Sequence, residues 1–282
     1  MSRQRTLASV AEAAGVALHC GAHTRVRMCP APVDSGRRFV VGGVEIPVAV
    51  DRVTDTQLAT TLGHGPARVR TVEHLLSALL ALGIDNLQIH VEGAEVPILD
   101  GGGAAWVDAI DSAGVVEQSA GALAVRMRST VTVRDGERWA RLEPADGLSI
   151  DLSIDHDHPA VGRQRLAMAV DAAAYRRDIA WARNFGFARR VPALQRMGLV
   201  RGGSLDNAVV FDRDGVLNEG GLRSPDEPVR HKFLDAMGDL ALMGPRLQGR
   251  LVANCPGPGL IVDLLRAVAA DPDSWAIVRA DA

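Results

Sequence analysis

An α+β chain in two similar halves is what this sequence predicts, on three observations. Short apolar–polar alternations bounded by Gly and Pro recur along the whole chain. Two longer segments, 71–82 and 228–242, change to the period of an amphipathic helix, one in each half. Between them, 119–123 is a run of mostly small residues, which sets the expected domains at 1–120 and 121–282. A chain of 282 residues, 47% of them hydrophobic, is long enough for two cores.

In the first half, 5–7, then 16–19 closed by Gly21, then 24–28 read as strands. Pro30, Pro32, Ser35 and Gly36 mark a loop before strands at 39–41 and 44–50. Val72, Leu75, Leu76, Leu79, Leu80 and Leu82 give the helix 71–82 its apolar face, and Gly83 stops it. A strand at 87–91 and an extended piece at 96–99 follow, and Asp100-Gly101-Gly102-Gly103 turns into a helix at 104–112. The second half reads as strands at 124–127, 130–133, 139–142 and 148–154, then helices at 172–182 and 191–197. A strand at 207–211, the helix 228–242, a strand at 251–253 and a helix at 259–270 complete it. No short-period repeat or low-complexity segment is visible.

Composition removes several classes of function. A net charge of −3 argues against a nucleic acid held by bulk electrostatics. No apolar run approaches the roughly 18 residues of a membrane span. Cys20, Cys29 and Cys255 are odd in number and scattered, which speaks against a disulfide framework or a thiolate zinc site. Early arginines and alanines look superficially like a signal peptide, but Glu12 interrupts the apolar run and no small-residue cleavage site follows. A soluble cytoplasmic protein acting on a small molecule is the expectation. Its basic residues are arginines with one exception, Lys232.

Lys232 lies in the most informative stretch, 229–240. On a helix, His231, Asp235 and Asp239 stand at i, i+4 and i+8 and share one face. An imidazole and a carboxylate one turn apart can claim a divalent metal, although an ordinary surface helix has the same spacing. The first helix brings Glu73-His74 near its start. If the halves pack helix on helix, the two His-bearing ends converge. Two histidines and a carboxylate would then leave one position of a tetrahedral zinc open to water, with Glu73 placed to take that water's proton.

The surrounding residues resemble a known family. Thr71-Val72-Glu73-His74-Leu75-Leu76-Ser77-Ala78-Leu79, Gly83-Ile84-Asp85-Asn86 and Glu95-Val96-Pro97-Ile98-Leu99-Asp100-Gly101 are similar to the zinc-dependent UDP-3-O-acyl-N-acetylglucosamine deacetylases of lipid A synthesis. Ala182-Arg183-Asn184-Phe185-Gly186-Phe187, Gly202-Gly203-Ser204, Val216-Leu217-Asn218-Glu219 and the His231–Leu240 stretch match in order, as do Gln4-Arg5-Thr6-Leu7 and Gly15-Val16-Ala17-Leu18-His19. The resemblance implies two α+β domains, each a sheet with helices, the helices sandwiched between the sheets. It implies zinc on His74, His231 and Asp235, Glu73 as base, Asp239 as a supporting acid, and Lys232 and Asn184 helping with developing negative charge. Phe185, Phe187, His19 and Arg138 would meet the substrate, Arg138 at its nucleotide end.

Departures from the pattern fall on the chemistry. The family's closing Lys-Ser-Gly-His stretch, whose histidine is a general acid, matches Cys255-Pro256-Gly257-Pro258 here, so proline stands at the histidine and Cys255 at the lysine. Asn184 replaces a threonine, and His156-Asp157 replaces a Phe-Asn pair near the nucleotide. His156 and His158 are candidates for a second metal site or a substitute acid, or else plain loop histidines. Two functions remain in view. One is a zinc-dependent amidohydrolase of this family with altered chemistry; the other is a zinc-binding paralogue without turnover. Oligomeric state is not legible.

Overall fold

The computed structural model describes residues 3–279, and within them the chain is α+β. A five-stranded sheet is built from Ala11–Val16, His23–Pro30, Arg37–Val41, Val44–Pro47 and Leu87–Glu92. A seven-stranded sheet takes all its strands from 123 onward, with Arg246–Asn254 at its centre between Arg138–Glu143, Leu123–Met127 and Leu148–His156. The strand Arg3–Leu7 pairs with Val115–Gly121. The 119–123 segment is therefore strand nearly throughout, and only Ala122 stands outside the ladders.

Two central helices, Glu73–Ala81 and Glu227–Leu240, lie between the sheets. Val26, Met28, Phe39 and Ile89 of one sheet, Leu75, Leu76 and Leu79 of the first helix, Phe233 and Met237 of the second, and Ile150, Leu152 and Leu251 of the other sheet form one continuous core. Burial of these apolar faces, at roughly 25 cal/mol per Å², is what drives the layers together. Gly83, at φ 65°, ends the first helix in the left-handed conformation that glycine adopts without a Cβ penalty. Pro228 in the first turn opens the second.

Several elements differ from the sequence reading, each for a tertiary reason. The strand expected at 16–19 is Ala11–Val16 instead; its alanines favour helix intrinsically, but pairing with His23–Pro30 overrides that preference. Residues 96–99 form no ladder beyond the single bridge of Pro97 to Ala17. Strands Thr61–His64, Ala67–Arg70 and Gly162–Ala169 carry too many polar or small residues to announce themselves, and Trp275–Arg279 is held extended by its pairing with Leu123–Met127.

The helix expected at 172–182 is α-helical only over Ala172–Ala174, then widens to π-helical turns over Tyr175–Ile179 and stops. Its carbonyls are taken elsewhere. Ala180 O accepts from Gly103 N at 2.7 Å, and Ala182 O lies 3.1 Å from His231 Nδ1. The glycines at 101–103 make that docking possible: a Cβ on Gly102 would stand 2.7 Å from Ala180 O. In return Asn184 N donates to Gly101 O at 2.6 Å, which fixes the strand Phe185–Phe187 beside the helices.

Candidate active site at the crossing of the central helices

The two central helices cross where Gly238 meets Glu73. A Cβ at Gly238 would stand 2.7 Å from both the Cα and the carbonyl carbon of Glu73, so only glycine permits this approach. The crossing brings His74 against His231, ring centroids 5.0 Å apart. Asp235 Oδ1 lies 3.5 Å from His74 Nε2 and 3.3 Å from His231 Nε2. Donors at about 2.0–2.1 Å from a tetrahedral ion are about 3.3–3.4 Å from one another, so the spacing is that of a metal's ligand shell.

Partner atoms point the same way. Asp235 Oδ1 is buried without a hydrogen-bond partner, whereas Oδ2 accepts from Lys232 Nζ at 2.8 Å. His231 Nδ1 donates to Ala182 O, which directs its Nε2 lone pair at Asp235. All three ligand atoms fall within 4.8 Å of one another. An orphaned buried carboxylate oxygen facing two imidazole nitrogens fits a divalent cation. Burial alone would raise the Asp235 carboxyl, yet His231 and Lys232, then His74, hold it well below the usual range. Burial drives His231 down to about 4, leaving it a neutral donor.

Thr60 joins the two remaining acids. Its backbone N–H donates to Glu73 Oε2 at 3.1 Å and its hydroxyl to Asp239 Oδ1 at 2.6 Å. Burial, reinforced by Asp235 against the opposing effect of His74, pushes the Glu73 carboxyl up to about 7. A carboxylate with that affinity suits proton transfer near neutrality. Burial also raises Asp239 well above its ordinary value, with the Thr60 hydroxyl working the other way.

A cavity of about 1200 Å³ opens from this crossing. Glu73, His74, His231, Lys232, Asp235, Asn184, Phe185, Phe187, His19 and Arg138 line it, whereas Asp239 sits behind Glu73 and does not. Asn184 Oδ1 accepts from Phe185 N at 2.9 Å, so its amide NH₂ is left for the cavity. Lys232 Nζ lies 5.5 Å over the Phe185 ring. Leu18, Val191, Leu194, Val200 and Val210 give the cavity apolar lining, and Arg134, Arg138 and Arg190 give it basic lining beside Asp135 and Asp263. Pro258 lines the wall at the start of the helix Pro258–Ala270; Cys255 does not.

His158 takes no part. Its Nδ1 accepts from Ala160 N at 3.2 Å and its Nε2 donates to Asp212 O at 2.7 Å, so it ties down a loop rather than serving a metal or a substrate.

The family model described as LpxC, UDP-3-O-acyl N-acetylglycosamine deacetylase, matches residues 4–270. The chain belongs to this deacetylase family. A UDP-3-O-acyl-N-acetylglucosamine deacetylase of Anaeromyxobacter sp. (strain Fw109-5) is 46% identical over 278 residues, 98% of this chain and 91% of that protein. The similarly named protein of Thioalkalivibrio sulfidiphilus is 46% identical over 281 residues, covering 98% and 92%, and that of Myxococcus xanthus 45% identical over 281, covering 98% and 90%. Against the deacetylase pattern, Thr60, Gly238 and the Ala182 carbonyl are the parts sequence reasoning passed over. Gly238 alone left a signal, since glycine inside a helix costs about 1 kcal/mol relative to alanine and so asks for a packing reason.

Proposed function

We propose that this chain is a zinc-dependent deacetylase that hydrolyses the N-acetyl group of a UDP-3-O-acyl-N-acetylglucosamine. The observation that carries the reading is the orphaned Asp235 Oδ1 facing His74 Nε2 and His231 Nε2, with Glu73 on the neighbouring helix and a cavity in front. His74, His231 and Asp235 are the ligands. Zinc bound there polarises the acetyl carbonyl and lowers the pKa of water.

Glu73 takes a proton from the attacking water, its high affinity coming from burial. As negative charge grows on the carbonyl oxygen, Lys232 and the Asn184 amide donate to it. Asp239, through Thr60, keeps Glu73 in place. The apolar lining suits the 3-O-acyl chain beside Phe185 and Phe187, His19 borders it, and the basic lining with Arg138 suits the diphosphate. On this reading residues 1–120 contribute Glu73 and His74 and residues 121–282 the rest. The working place is the cytoplasm, and among the described residues no helix is long and apolar enough to cross a membrane.

Metal analysis and turnover of the UDP-linked substrate, on native protein and on Glu73→Ala, test this. About one zinc per chain in both, with turnover reduced at least ~10²-fold in the variant, is expected. Protein that is metal-free and indifferent to added zinc, or a variant as fast as native, refutes it.

A further inference from the structure

Amide hydrolysis needs a proton for the departing nitrogen, because an amine does not leave as its anion. Proline at 258 has no side-chain proton to give. The chain has eight histidines, and besides His74 and His231 only His19 and His156 line the cavity. We propose that His156 is the proton donor to the nitrogen that leaves when the amide bond breaks. This rests on the deacetylase reading above.

Its position follows from the sheet. The strand Leu148–His156 runs parallel and adjacent to Arg246–Asn254, with Ser153 opposite Asn254 and Cys255 N donating to Ser153 O at 2.7 Å. Past that point one strand ends in His156 and the other leads into Gly257 and Pro258. His156 thus ends one of two adjacent strands and Pro258 follows the end of the other, and both line the cavity.

The imidazole stands edge-on to Phe185, centroids 5.5 Å apart at 88°, and 5.4 Å from Phe187. Phe185 in turn lies 6.1 Å from His231. Phe185 is therefore a common neighbour of His156 and His231. Among the described residues neither nitrogen of His156 is committed to a protein hydrogen bond.

His19 is a poorer donor. It is 2% exposed, Val200 N approaches its Nδ1 at 3.4 Å, and burial followed by the Arg70 charge brings it down to about 4. Its backbone N–H is held by Glu95 Oε1 at 2.8 Å.

Around His156, burial first, then Lys232, Arg190 and His158 favour the neutral ring, and Asp155 opposes them. A diphosphate seated on the basic lining offsets Arg190. The ring is then neutral in the free protein and gains a proton with the anionic substrate.

Water oxygen bonds to the carbonyl carbon and one water proton passes to Glu73. The C–N bond then breaks with its electron pair going to nitrogen, and the His156 imidazolium gives that nitrogen a proton. The acetic acid formed loses its remaining water proton to solvent, and solvent exchange returns Glu73 and His156 to their starting states, leaving amine and acetate.

The test compares His156→Gln and His156→Phe with native protein across pH, with zinc present and melting temperatures confirming folding. Phenylalanine keeps the ring against Phe185 but holds no proton. A kcat about 10²-fold lower in both variants, KM within about threefold, and loss of the basic limb of the kcat profile are expected. A second readout is the His156 ring NMR resonance, assigned by its absence from His156→Gln. It should move toward the protonated position with the deacetylated UDP-3-O-acyl-glucosamine. Variants within twofold of native with an unchanged basic limb overturn this proposal and leave the deacetylase reading standing. A ring resonance that stays at the neutral position with that ligand also overturns it. Native protein without turnover overturns both readings.

Discussion

Replacing Gly238 by alanine sets two effects of opposite sign against each other. Alanine inside a helix is favoured over glycine by about 0.8–1.0 kcal/mol, which alone would raise the melting temperature. Against that, the new methyl would stand 2.7 Å from two carbon atoms of the Glu73 backbone, where ordinary contact begins near 3.4 Å. Backbone cannot rotate aside, and the Glu73 carbonyl oxygen lies nearer still, so the helices must part by more than about 0.7 Å. Overpacking of this kind costs about 1–3 kcal/mol. Each kcal/mol moves the melting temperature of a chain this size by about 2–4 °C.

The displaced residue is next in sequence to His74, and a metal site tolerates only about 0.2 Å of error in its ligand distances. Loss of stoichiometric zinc should follow, with a fall in turnover of about 10²-fold. Calorimetry, metal analysis and kinetics on Gly238→Ala check the three. A variant that melts higher than native and keeps its zinc would show that the helices do not meet as closely as described, and the account of the site would fail with it.

Thr60→Val keeps the shape but removes the hydroxyl that donates to Asp239. It should cost about 1–3 kcal/mol in a denaturant melt, whereas Thr54→Val, at an exposed position, should stay within about 0.5 kcal/mol; equal effects would deny Thr60 its bridging place. Glu227, buried, accepts from the Arg183 side chain at 2.9 Å and from Arg223 N at 2.7 Å. Burial alone would raise this carboxyl, but Arg183 and the backbone donors hold it below its ordinary 4.5. Its contribution is thus complete above about pH 4.5 and is lost as pH falls through the lowered value. Glu227→Gln should cost about 3–5 kcal/mol at pH 7, with the gap to native narrowing in acid; a gap constant from pH 7 to pH 3 would contradict this. Free zinc at 100 times its Kd should add about 2.7 kcal/mol to native stability, a gain that stripping the metal with a chelator reverses. His231→Ala should show no such gain, and an undiminished one would place the metal elsewhere.

The central helices were legible because their signal is local. Leu75, Leu76 and Leu79 keep the helical period, and Gly83 ends the run. The i, i+4 spacing of His231 and Asp235 fixes their shared face as soon as the segment is helical. Strands such as Gly162–Ala169 were missed because they are half-exposed and rich in arginine and glutamine, and only pairing with Leu148–His156 holds them extended. The run after Ala172 reads as helix by composition, but Gly103 and His231 claim its carbonyls from other parts of the chain.

The sequence by itself determined the kinds of donor available, their spacing within each helix and, through ordered blocks of residues, the family. Tertiary structure alone decided that Gly238 would rest on Glu73, that Thr60 would serve an acid 13 residues away and another 179 away, and that His156 and Pro258 would line one cavity. Periodicity and capping act within a turn or two of the chain. These contacts join backbones distant in sequence, and they exist only once the burial of both sheets against the helices has fixed where each backbone lies.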